Sequence, residues 1–122
     1  LGNQEKLSEK VQNGTSTVYE IYADSKEFKN CFDQNLLNCE AFLKSMYQKN
    51  IYSIYVEGGM KTSSTFVAQA KADVVQLHIA PIILGSGIST FELNKIESIN
   101  QAIKFKTFQF TKVGKEIMFV GV

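Results

Sequence analysis

Val56-Glu57-Gly58-Gly59-Met60-Lys61-Thr62-Ser63-Ser64-Thr65 is the stretch on which the reading of this chain turns. It is entered from Tyr52-Ser53-Ile54-Tyr55-Val56-Glu57, a β-branched and aromatic run that reads as a strand. Beyond it, Ser63, Phe66, Val67 and Ala70 recur at i, i+3, i+4 and i+7, which predicts a helix. Two glycines between strand and helix permit a sharp turn without a Cβ penalty. The first amides of such a helix are unpaired donors at the positive end of its dipole, and they attract phosphate. Lys61 and the hydroxyls of Thr62, Ser63, Ser64 and Thr65 add further donors. Two readings stand at this point: a plain strand–helix turn, or a cradle for a pyrophosphate. Glu57 is open in the same way, as a solvent-facing strand end or as a carboxylate that accepts from a polar ligand.

Working outward, Thr17-Val18-Tyr19-Glu20-Ile21-Tyr22-Ala23 reads as an earlier strand, and residues 24–34 read as loop. A helix is predicted from Asn35, with Leu36, Cys39, Leu43 and Met46 forming its stripe, Asn35 as its cap and Asn50 just past its end. On the other side, Val74-Val75-Gln76-Leu77-His78-Ile79-Ala80 reads as a buried strand closed by Pro81. Residues 104–113 alternate, with Phe105, Thr107, Gln109 and Thr111 on one face and Lys106, Phe108, Phe110 and Lys112 on the other. Gly114-Lys115 makes a turn and residues 116–122 return as a second strand, giving a C-terminal antiparallel hairpin. Strands that alternate with helices predict an α/β fold, a mixed sheet of parallel strands joined by crossover helices and finished by that hairpin.

The chain has 122 residues, 44% of them hydrophobic and 20% charged, which suits one domain: a polar terminus over 1–16 and an α/β unit over 17–122. Its 13 basic residues are all Lys and its net charge is +1. Without Arg it has no guanidinium fork for phosphate or guanine, and Lys104, Lys106, Lys112 and Lys115 alternate as a solvated strand face would. No nucleic-acid partner is expected. No apolar run approaches the ~18–20 residues that cross a bilayer, so no membrane partner is expected either. Cys31, Cys39 and the lone His78 make no zinc pattern, and two cysteines in such a chain favour a reducing, cytoplasmic setting. His78 reads as a strand residue and Asp73 as a cap or turn residue.

Taken together, Tyr52 to Gly59, Phe66, Asp73, Ile79-Ala80-Pro81-Ile82-Ile83-Leu84-Gly85 and the closing Phe119-Val120-Gly121-Val122 resemble the reductase domain of the bifunctional riboflavin biosynthesis deaminase–reductase. That family shows a strand ending in Glu-Gly-Gly, a helix, an Asp before the next strand, and Ala-Pro-x-Leu-Leu-Gly. Met60-Lys61-Thr62 departs from the family's Pro-Thr-Leu, and Ile82 stands where the family carries Lys. The resemblance implies a dihydrofolate-reductase-like α/β fold. It implies NADPH as cofactor, and reduction of 5-amino-6-(5-phosphoribosylamino)uracil to its ribitylamino form. By position it makes Glu57 a substrate-contacting carboxylate, and Gly58, Gly59, Met60, Lys61, Thr62, Ser63, Ser64 and Thr65 the segment that wraps the NADPH phosphates. The chain is expected to be the C-terminal, cofactor-side portion of such a domain, without deaminase activity, and weakly active or inactive in isolation. A homodimer or higher homo-oligomer is expected, because a cut domain exposes strand edges. Two alternatives stay open: a reductase of the same fold for another small heterocycle, and a non-catalytic assembly domain.

Overall fold

A computed structural model describes Tyr19 and residues 26–122. The predicted polar terminus over 1–16 and, apart from Tyr19, the strand predicted over 17–23 lie outside the described residues. The chain divides into two compact units between Leu37 and Asn38. In the first, Phe28 and Cys31 are buried, and the Phe28 ring meets Tyr19 edge-on at 6.0 Å. A single 3-10 turn, Lys29–Cys31, leads into β1 (Phe32–Asp33) and β2 (Leu36–Leu37), which pair antiparallel. Residues of the predicted loop thus contribute a small hairpin. Its two-residue turn, Gln34-Asn35, has both residues at positive φ, the conformation that suits the twist of paired strands.

That turn explains why the first helix starts later than Asn35. With Asn35 at φ 70° in the hairpin, the cap passes to Asn38, whose Oδ1 accepts from the Ala41 amide at 3.0 Å. Helix α1 runs Cys39–Gln48 in the second unit and buries Cys39, Phe42 and Met46, while Leu36 belongs to β2. Past its end Asn50, at φ 62°, lets the Ile51 amide reach the Met46 carbonyl and its own amide reach Tyr47, a Schellman closure. Helix α2 runs Met60–Ala68 and closes in the same way, with Ala70 at φ 51° and Lys71 donating to Phe66. Ala70 is therefore outside the helix whose spacing it extends in sequence. The two helices meet through an edge-on Phe42–Phe66 pair at 6.2 Å. The Gln69 side chain accepts from the Cys39 amide at 2.9 Å, and Lys71 pairs with Glu40 at 3.3 Å.

Strands β3 (Val75–Ile79), β4 (Phe108–Val113) and β5 (Glu116–Gly121) form a three-stranded sheet in the order β3-β5-β4. Every ladder among the described residues is antiparallel, which corrects the expected parallel pairing. The correction centres on residues 52–57. They are strand-like in composition but join no ladder, and Tyr52 and Tyr55 stand open to solvent. β3 instead takes β5, far downstream, as its neighbour, a partner that local alternation cannot name.

The hairpin forms as predicted, around Gly114 at φ 61° in a two-residue loop. Register places Leu77, Phe110 and Phe119 on one face, with Gln76, His78, Gln109 and Thr111 on the other. Phe105 crosses to the aromatic face against its expected alternation. The Lys106 and Thr107 amides both donate to the Val122 carbonyl, at 2.7 and 3.3 Å, and this bulge resets the alternation. Phe105 then stacks edge-on against Phe119 at 5.2 Å and lies over Gly121, where a Cβ would come within 2.5 Å of its ring.

Candidate anion-binding turn

Helix α2 opens without the compensation that helix starts normally carry. Its cap is Gly59, at φ −71° and ψ −178°, which has no side chain to accept from the first amides. No acidic residue lies in its first turn, and Lys61 does. The first helical bond returns from the Ser63 amide to the Gly59 carbonyl at 3.2 Å. The amides of Met60, Lys61 and Thr62 therefore meet no acceptor among the described residues. Unpaired donors, the positive dipole end and a cation converge there, which is the electrostatics of an anion site.

The two glycines do different work. At Gly58 an added Cβ would lie 2.6 Å from the Thr62 Cβ, so glycine lets the chain pass beneath the helix's own first turn. At Gly59 nothing lies within 4 Å of such a Cβ, so the space beside this cap is open. Glu57 is exposed immediately before the turn, and Lys61 and Thr62 are exposed on it. Met60 is half-buried. Ser63 is also half-buried, its hydroxyl at a long 3.5 Å from the Gly58 carbonyl.

The last two residues of the predicted segment are engaged within the fold. The Thr65 hydroxyl donates to the Lys61 carbonyl one turn back, at 2.8 Å. Ser64 is buried, 6% exposed, and its Oγ accepts from the Glu92 amide at 2.7 Å. Nothing in the spacing of Ser64 and Glu92 foretells that link, since a serine inside a helix reads as solvent-facing unless its partner is known. The groups aimed outward are the three amides, Gly59, Lys61 and Thr62.

Other candidates fall away from this turn. His78 sits on the polar face of the sheet with Nδ1 3.5 Å from the Glu116 carboxylate, both side chains about half exposed. A shallow concavity at the β4–β5 turn, lined by Phe110, Lys112, Lys115 and Ile117, includes none of the α2 residues. Both cysteines are free, and burial pushes their thiols up, partly offset at Cys39 by Lys71. Among the described residues no group of three metal-ligating side chains forms, and no helix is long and apolar enough to cross a membrane.

Helices, antiparallel strands and a glycine-capped helix opening make this an α/β fold with an open anion-binding turn. The chain belongs to the RibD C-terminal domain family, whose model matches residues 4–119. It is 30% identical over 81 residues to the riboflavin biosynthesis protein RibD of Aquifex aeolicus (strain VF5), an alignment covering 66% of this chain and 22% of that protein. Its fold is similar to that of Acinetobacter baumannii RibD, form 2, with a TM-score of 0.60 and 24% identity over 74% of this chain and 25% of that one. The chain thus spans about a quarter of the length of these relatives.

Proposed function

We propose that this chain carries the cofactor-binding part of a cytoplasmic, NADPH-dependent reductase of riboflavin biosynthesis, which reduces 5-amino-6-(5-phosphoribosylamino)uracil to the ribitylamino form. The observation that supports it best is the helix opening itself: three amides without acceptors among the described residues, beside an uncovered glycine, in a member of the RibD C-terminal domain family. These residues fit a phosphate-bearing cofactor. The amides of Met60, Lys61 and Thr62 would hold phosphate oxygens, Lys61 would neutralise charge, and Gly59 would let the ligand reach the backbone. Glu57 would accept from the substrate's polar groups. The nicotinamide, when bound, supplies the hydride, and the protein's share is orientation and electrostatics. The uncovered apolar sheet supports a homodimer or higher homo-oligomer as the working state.

Calorimetric titration of the chain with NADPH tests the reading. Binding on the order of 1 mM or tighter is expected, with little or no turnover. No heat at millimolar NADPH rejects it. Gly59→Leu is the informative variant, because the open space and ordinary φ at the cap accept a side chain without disturbing the fold. It should weaken NADPH about tenfold or more, equivalent to about 1.4 kcal/mol. Unchanged affinity would put the phosphates elsewhere.

A further inference from the structure

The Ser64–Glu92 hydrogen bond joins two segments 28 residues apart, and its acceptor is the buried polar side chain of the second unit. The segment it captures is the connector between β3 and β4, whose residues 80–98 form no helix or strand and are mostly exposed. Ile83 and Ile88 on that connector are 99% and 87% exposed, and Phe91, next to Glu92, is its one half-buried residue, so the connector is held near Glu92 and stands open before it. The connector is fastened upstream by β3, which ends at Ile79, and next at Glu92 by Ser64. Ser64 lies two to four residues beyond the unpaired amides of Met60, Lys61 and Thr62, so the fastening point is about 3–6 Å along the helix axis from them.

We propose that Ser64 is a positioning residue. Its hydroxyl pins the connector at Glu92 beside the opening of α2 and so holds residues 85–91 as a strap flanking the anion-binding turn. This rests on the reading of that turn as the phosphate site, but the pin itself does not depend on it. The strap carries Gly85, Ser86, Gly87, Ser89 and Thr90, small and hydroxyl-bearing residues compatible with a phosphate group nearby. Ser64 acts through the Glu92 backbone and touches no ligand.

Hydrogen exchange and NADPH titration on the 122-residue chain, comparing wild type with Ser64→Ala, Ser64→Thr and Phe42→Leu, separate the possibilities. In wild type without ligand the Glu92 amide should be protected. Ser64→Ala should speed its exchange about fivefold, the loss expected for one hydrogen bond, and weaken NADPH by a similar factor. Ser64→Thr, which keeps the hydroxyl, should restore both. Phe42→Leu lowers general stability in the helix pair and should leave the Glu92 amide and NADPH affinity as in wild type. An unprotected Glu92 amide in wild type overturns the proposal. So does a Ser64→Ala chain whose Glu92 amide is loosened while its NADPH affinity is unchanged. Equal weakening of NADPH by Phe42→Leu would reduce Ser64 to a stability residue and overturn it too. If wild type binds no NADPH, the phosphate-site reading fails, and exchange at Glu92 alone decides whether Ser64 pins the strap.

Discussion

Cys39 shows at the residue scale how burial sets chemistry. It is fully buried at the start of α1, and burial raises its thiol above the ordinary value, with Lys71 pulling weakly the other way. Cys31 is raised by burial as well. A folded thiol that holds its proton more tightly than the unfolded one contributes stability that is complete below the unfolded value and is lost above it. Below about pH 8.5 both states are protonated and stability is flat in this respect. Above it the unfolded thiol ionises first, so the native state binds more protons and stability falls as pH rises. Thermal melts should therefore decline between about pH 8.5 and 9.5, before lysines titrate. Cys39→Ala should lie lower throughout but decline less steeply. An unchanged slope in that variant would show that the Cys39 thiol is not held protonated by the fold.

Ala70 makes the corresponding point at the scale of the element. The helical spacing Ser63, Phe66, Val67, Ala70 is genuine, yet α2 stops at Ala68 because Ala70 is taken into the left-handed closing position, at φ 51°. The position that closes α1 in the same motif is occupied by Asn50, a residue that tolerates positive φ. Alanine there is strained, so Ala70→Gly should stabilise the chain by about 0.5–1 kcal/mol despite glycine's larger unfolded-state entropy. A lower melting temperature for Ala70→Gly would mean that the helix end is set by something other than this closure. The two helix ends also mark what was legible in the sequence. Asn50 as a stop, a strand within the predicted 74–80 and the hairpin around Gly114 are local signals, and they were readable. The strand expected to be buried nevertheless holds no buried residue, because it lies on the edge of a sheet whose faces stay open. Asn38 in place of Asn35 as the cap was not, because it depends on a two-residue hairpin turn claiming Asn35 first. Of the candidate site, the glycine turn and its free amides were legible, since spacing and backbone chemistry define them. The internal use of Ser64 was not, because its partner lies 28 residues away. Strand pairing fails for the same reason: β3 finds β5 through a long-range contact, and residues 52–57 find none among the described residues despite a strong β composition.

Over the whole molecule, the second unit carries more apolar surface than it covers. Phe108 and Phe110 are 66% and 60% exposed on the aromatic face, beside Ile79 and Ile117, which are each about half exposed. Phe105 and Phe119 shield only part of that face. Contiguous apolar patches of this kind are rare on monomers and mark surfaces that pair. Both outer edges of the sheet, along β3 and along β4, are also without ladder partners among the described residues, and open edges add the same tendency. Sedimentation velocity should therefore show concentration-dependent association of the chain in the micromolar range, favouring a discrete dimer if the aromatic face is the contact. Phe110→Lys places a charge at the centre of that face, beside Lys112 and on the solvent side of β4. Its ring is mostly in water already, so the fold should survive, while association weakens by at least about tenfold, or about 1.4 kcal/mol. The opposite face supplies the control: Gln109→Lys introduces the same charge among Gln76, His78 and Thr111 and should leave association as it is. A monomer at about 100 μM, or equal loss of association in both variants, would show that the aromatic face does not pair with a second copy. Loss in Phe110→Lys alone, with unchanged NADPH affinity, would separate the assembly surface from the glycine turn and leave the two to be studied independently.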